Sequence, residues 1–164
     1  MLANKLQIIF LIILIPSGMF YLYMQQQDVP MFDFFLPGTP VMHIGDIPLR
    51  VEMAITGEEL AKGLSGRNEL SNVEGFLLIF PEADYHSIWM KEMRFPIDII
   101  WIDDDLMVIS IEKNVSPDSY PRIFRPKKPA RYAVETNTQY SDIVGIRPGQ
   151  IVTLPILPKG NLEK

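Results

Sequence analysis

Hydrophobic and polar positions fall into three regimes along the chain. An uncharged apolar run occupies Leu6 to Met24, a stretch that turns from polar to aromatic continues to Pro40, and from Val41 short apolar segments alternate with turn residues. In the third regime the period is two. Leu49, Val51, Met53 and Ile55 alternate with Arg50, Glu52 and Ala54, the pattern of a strand with one buried and one wet face. Val41–Ile44 precedes this strand across Gly45-Asp46, which predicts a hairpin. Thr56 followed by Gly57, Glu58 and Glu59 predicts a helix start, with the hydroxyl as N-cap and acids in the first turn, and Gly63 supplies a stop. Further strands are predicted at Gly75–Phe80, Ser87–Met90, Ile97–Ile102, Leu106–Lys113, Arg131–Glu135 and Ile151–Ile156, each bounded by Pro, Gly or Asp-rich turns. Asp103-Asp104-Asp105 reads as a hairpin turn, because a calcium loop needs spaced ligands and a glycine that this run lacks. Ser116 to Pro129 holds four prolines and predicts an extended loop. These elements imply an α+β, mainly β fold: a compact barrel-like sheet with one or two short helices, over residues 41–158, ahead of a tail at 159–164.

The first regime predicts a single transmembrane helix. Leu6 to Met24 has no charge, and about 19 helical residues approach the roughly 30 Å of a bilayer core. Lys5 and the amino terminus precede it while Gln25, Gln26, Gln27 and Asp28 follow, so the positive-inside rule puts the N-terminus in the cytoplasm and the domain outside. Residues 1–24 therefore read as a membrane anchor. A cleaved signal peptide, releasing a secreted domain, is the competing reading; it lacks an Ala-x-Ala-like site and leaves Met19–Met24 at the mature end. Residues 25–40 form a stalk, with Phe32, Phe34, Phe35 and Leu36 near its end.

Composition adds exclusions. The chain has 164 residues, enough for one domain core beyond the apolar run. The absence of cysteine removes disulfides, thiolate nucleophiles and cysteine-rich zinc sites, and His43 and His86 are not spaced to share a metal, so no metal or other cofactor is expected. The net charge of -5 is uneven: Lys113 to Arg131 carries +5 and the remainder -10. A basic strip on an acidic body suits a solvated loop or a contact with an anion or lipid headgroup, and argues against nucleic-acid binding.

Three stretches carry a resemblance: Gly63-Leu64-Ser65-Gly66-Arg67 with Leu70 and Gly75; Trp89-Met90-Lys91 with Phe95-Pro96-Ile97-Asp98-Ile99-Ile100; and Pro129 to Glu135 with Gly145-Ile146 and Pro148-Gly149. In order and spacing this set resembles the domain-of-unknown-function family 192, an uncharacterised and often exported prokaryotic family. The resemblance spans roughly Ile47 to Val152 and implies a mainly-β fold, often outside the cytoplasm, with no assigned reaction. Glu92-Met93 departs from the Asn-Thr that the family commonly shows after its lysine.

Candidate chemistry is sparse. Ser87, Trp89 and Lys91 share one face of a strand and Ile88 and Met90 the other, so Trp89 and Lys91 point together, toward a groove or toward core and solvent respectively. Asp98 stands in an apolar strand and needs a partner, for which Arg67, Lys91 and Arg94 are the candidates. Gly63, Gly66 and Gly75 serve turns, since they fit no phosphate-binding loop. No nucleophile elbow or Ser-x-x-Lys motif is present, and no catalytic residue is assigned. The expected function is a membrane-anchored extracytoplasmic binding or accessory module, with Arg67, Trp89, Lys91 and Asp98 around a site for an envelope glycan or small polar ligand. One alternative is an envelope hydrolase using two carboxylates among Glu74, Asp98 and Glu135, whose separation decides that chemistry. Another is a structural or protein-interaction domain whose motifs serve the fold alone.

Overall fold

The computed structural model describes residues 40–155. The predicted anchor, stalk, the end of the last predicted strand at Ile156 and the tail at 159–164 lie outside the described residues. The elements run β1 (Val41–Ile44), β2 (Ile47–Ala54), α1 (Gly57–Lys62), β3 (Glu74–Asp84), β4 (Ile88–Trp89), β5 (Ile97–Ile102), β6 (Val108–Val115), β7 (Ile123–Phe124), β8 (Ala130–Asn137), α2 (Tyr140–Ile143) and β9 (Val152–Thr153). Seven strands form one sheet in the order β6-β5-β8-β3-β2-β1-β9, and β4 with β7 forms a separate two-stranded ribbon. Only β2 and β3 pair in parallel, as their connection through α1 allows; the remaining neighbours are antiparallel. The chain ahead of β6 meets the chain ahead of β9 at a Met107–Ile151 bridge, flanked by Val152 N donating to Leu106 O at 2.7 Å. That contact draws the two sheet edges together and gives the barrel-like curl.

Alternation along the strands sorts the apolar residues into two cores. Leu49, Val51, Leu77, Ile79, Ile100, Ile102 and Val134 fill the concave interior with Met42, Ile44 and Val152. Phe76, Leu78, Phe80, Ile97, Ile99, Trp101 and Ala133 form a second cluster on the convex face, covered by Leu60 and Leu64 near α1 and by Ile88, Met90 and Phe124 from the ribbon. Strands β3 and β5 are buried on both sides, hence their near-continuous apolar runs.

The predicted hairpin, the capped helix and β5 stand where the pattern places them. Asp103 turns the chain as expected, its Oδ1 accepting from Met107 N at 2.8 Å. Two expectations are corrected. The proline-rich segment is not wholly irregular: it holds a 3-10 turn at Pro117–Ser119 and β7, because Ile123 and Phe124 pair with Trp89 and Ile88. Gly75 is not in a turn but in β3, where a Cβ would sit 2.8 Å from Leu49 Cδ2 and 3.2 Å from Val134 Cγ1. It is a site of close approach within the interior core.

Candidate functional site

A pocket of about 200 Å³ opens between α1, the turn after it, β4 and the convex face of the sheet. Its walls are built locally from sequence. Thr56 Oγ1 accepts from Glu59 N at 3.3 Å and Glu59 Oε2 accepts from Thr56 N at 2.9 Å, a reciprocal cap that fixes where α1 begins. Backbone bonds from Ile55 and Thr56 hold the exposed Glu59 carboxyl below its usual range. Gly63 ends the helix with φ at +50°, a conformation that disfavours any other residue. The following turn is tied to the chain after β4 by Ser65 Oγ donating to Lys91 O at 2.8 Å and Gly66 N donating to Glu92 O at 2.9 Å.

The opposite wall comes from β3 and β4. The His86 ring stacks on Phe80 with centroids 3.8 Å apart. Its Nε2 lies 2.8 Å from Glu82 O, and since a carbonyl only accepts, Nε2 carries the proton. Ser87 Oγ accepts from Arg125 Nε at 3.0 Å, joining β4 to the residue after β7. Trp89 forms part of the lining while remaining 45% exposed.

Glu135 supplies the one carboxyl of the pocket. It lies in β8 opposite Phe76 of β3 and Ile99 of β5, two convex-face residues, so it projects to that side of the sheet. The residue is only 5% exposed, and Oε2 is buried without a hydrogen-bond partner among the described residues. Burial pushes its pKa from the ordinary 4.5 to about 7, the nearby Arg67 guanidinium opposing that rise. Arg67 itself pairs with Glu52 at 2.5 Å, which raises its pKa, and lies 5.2 Å over the Phe76 ring. Gly63 faces the carboxyl: a Cβ there would stand 3.9 Å from Oε2. An unpartnered carboxyl under an aromatic lip can take hydrogen bonds from a hydroxyl or amine donor, and its pKa suits proton exchange near neutrality. Among the described residues no group of three His, Asp or Glu is placed to hold a metal ion.

Of the residues nominated from sequence, Trp89 lines the pocket. Ser87, Trp89 and Lys91 are all exposed while Ile88 and Met90 are buried, so Trp89 does not fill the core. Arg67 and Lys91 stand on the two segments tied together beside the pocket, though neither side chain lines it. Asp98 is elsewhere, and its partner is not Arg67, Lys91 or Arg94. Asp98 pairs with Thr136 in register, one residue out of phase with Glu135, and so faces the other side of the sheet. There its carboxylate accepts from Ser141 Oγ at 2.6 Å, Ser141 N at 3.1 Å and Asn114 N at 2.9 Å. Arg94 bonds Asn68 instead. The same register excludes Asp98 with Glu135 as a carboxylate pair, since the two point to opposite faces, while Glu74 lies 3.7 Å from Arg50 in an ion pair. His86 and Ser65 enter the pocket without having been singled out as ligand-binding, and Glu135, which the sequence marks only as a candidate hydrolase carboxylate, enters it too.

A family model described as "Uncharacterized ACR", DUF192, matches residues 41–154. No curated protein matches the chain. Among solved structures, a protein of unknown function from Novosphingobium aromaticivorans DSM 12444 is 31% identical, with a TM-score of 0.65, over 71% of this chain and 87% of its own. A protein from Sinorhizobium meliloti 1021 that carries a transcription-regulator designation is 27% identical, with a TM-score of 0.66, over 71% of this chain and 92% of its own. The match extends across the whole described barrel, from β1 to the residue after β9, and the chain belongs to the domain-of-unknown-function family 192.

Proposed function

We propose that this chain is a membrane-anchored extracytoplasmic binding module whose pocket takes a small, hydroxyl-rich polar ligand such as a sugar ring of an envelope glycan. One observation carries this reading: the buried Oε2 of Glu135 lacks a hydrogen-bond partner among the described residues and lies in a pocket lined by exposed Trp89. A buried carboxyl without partners is costly, and a ligand hydroxyl relieves that cost while the indole face covers the apolar side of the ring. The placement outside the membrane rests on the uncharged Leu6–Met24 run and the charge asymmetry around it. Arg67, paired with Glu52, and Lys91 stand outside the lining and would serve only ligand groups that extend beyond the pocket.

The test is calorimetric or NMR titration of the protein with a panel of neutral and N-acetylated hexoses. Saturable binding is expected, lost in Glu135→Ala and weakened in Trp89→Ala. No saturable binding across the panel, or binding that both variants retain in full, would overturn the reading.

A further inference from the structure

The ribbon formed by β4 and β7 buries one face and leaves the other open. Ile88 and Phe124 pair with each other and enter the convex core, while Trp89 and Ile123 pair on the outer side, each 45% exposed. The bond from Arg125 to Ser87 extends the same register by one row and sets a guanidinium beside this apolar pair. Tyr120, half exposed, stands on the approach to β7. Arg122, Lys127 and Lys128 are exposed within the same short segment. Among the described residues the ion pairs involve Arg50, Arg67 and Lys113, and no described acid pairs with those cations. The segment that carries Ile123 is thus basic while the rest of the chain is acidic, with Arg125 on the open face and Arg122 over the Phe124 ring.

We propose that this open ribbon face docks on an anionic lipid bilayer, in a state exclusive of the pocket ligand since both use Trp89, with Trp89 and Ile123 entering the headgroup boundary and the basic segment from Arg125 to Lys128 meeting lipid phosphates. The charge of the segment selects an anionic partner. The chemistry of the pair selects a bilayer among anionic partners: tryptophan favours the interface, and a bare isoleucine gains from an apolar boundary, not from a nucleic-acid backbone. The acidic remainder of the domain is repelled by the same surface, which orients the molecule with the ribbon downward.

The chain has two tryptophans, and Trp101 is fully buried in the core, so a lipid-dependent change in the emission of the full-length protein reports on Trp89. Full-length protein is reconstituted into phosphatidylcholine vesicles with or without one-third phosphatidylglycerol, and with brominated acyl chains for quenching. A blue shift and bromolipid quenching of Trp89 are expected only with the anionic lipid, fading as salt is raised. Lys127→Gln with Lys128→Gln is expected to weaken the salt-sensitive response about 25-fold, about fivefold for each cation removed. Ile123→Ser, at an exposed position outside the pocket, is expected to reduce the quenching depth. Emission indifferent to phosphatidylglycerol, a response unchanged in both variants, or the same shift produced by duplex DNA without lipid overturns the proposal.

Discussion

Replacing Glu135 by Gln removes an ionisable group from the floor of the pocket with little change of shape. The native carboxyl holds its proton up to about pH 7, against 4.5 in the unfolded chain, because burial disfavours the anion. Between those values the folded state binds more protons than the unfolded one, so raising the pH through this window destabilises the fold. Below it both states are protonated, and above it the full penalty is present. At about 1.4 kcal/mol per tenfold change in proton affinity, the interval is worth about 3 kcal/mol. Glutamine carries no such linkage. Urea unfolding of wild type and Glu135→Gln, from about pH 4 to about pH 8, therefore yields stability curves that diverge with rising pH, the variant gaining about 3 kcal/mol relative to wild type. Every other carboxylate titrates alike in both proteins and cancels in the difference. Any constant cost of accommodating the amide cancels too. Parallel curves would refute the reasoning, since they require that Glu135 be solvated or partnered in solution.

Ligand binding should show the opposite pH trend: a hydroxyl donor favours the ionised carboxylate, so affinity is expected to rise through about pH 7, checked by calorimetry across that range. Asp98→Ala strips the acceptor shared by Ser141, Asn114 and Gln139 and is expected to lower stability by about 3 kcal/mol in denaturant melts, without changing ligand affinity at the pocket. Gly75→Ala forces a methyl between Leu49 and Val134 and is expected to cost about 1–3 kcal/mol by thermal unfolding. Thr56→Ala removes the α1 cap at a cost of about 1 kcal/mol. Since α1 walls the pocket, the same variant is expected to weaken the ligand, as a titration would read.

Legibility in the sequence followed the range of the interactions concerned. Strand β5 is bounded by Pro96 and Asp103 and is apolar throughout apart from Asp98, so local pattern places its limits. The cap on α1 is written within four residues, Thr56 to Glu59. Strand β7 is different: two residues between Pro121 and Pro126 carry no strand signal, and they become a strand only because β4 lies beside them. The partner of Asp98 is likewise hidden, since Ser141 lies 43 positions away on a four-residue helix with too few turns to show a period.

The two acids make the limit specific. Asp98 and Glu135 are both carboxylates that follow apolar residues in a strand, and a reading of either strand alone assigns them the same problem: a buried charge in need of a partner. Their fates separate in the pairing of β5 with β8, where Asp98 lies across from Thr136 and Glu135 from Ile99. That offset of one residue turns Asp98 to the side where Ser141 and the backbone of Asn114 satisfy it. It turns Glu135 to the side where the bare backbone of Gly63 leaves room and no partner among the described residues reaches Oε2. The first acid is consumed by the fold, whereas the second stands at a cost the fold does not relieve. A carboxyl held in that state is the part of this barrel best suited to meet a ligand, and the pH dependence of its stability is the direct measure of that cost.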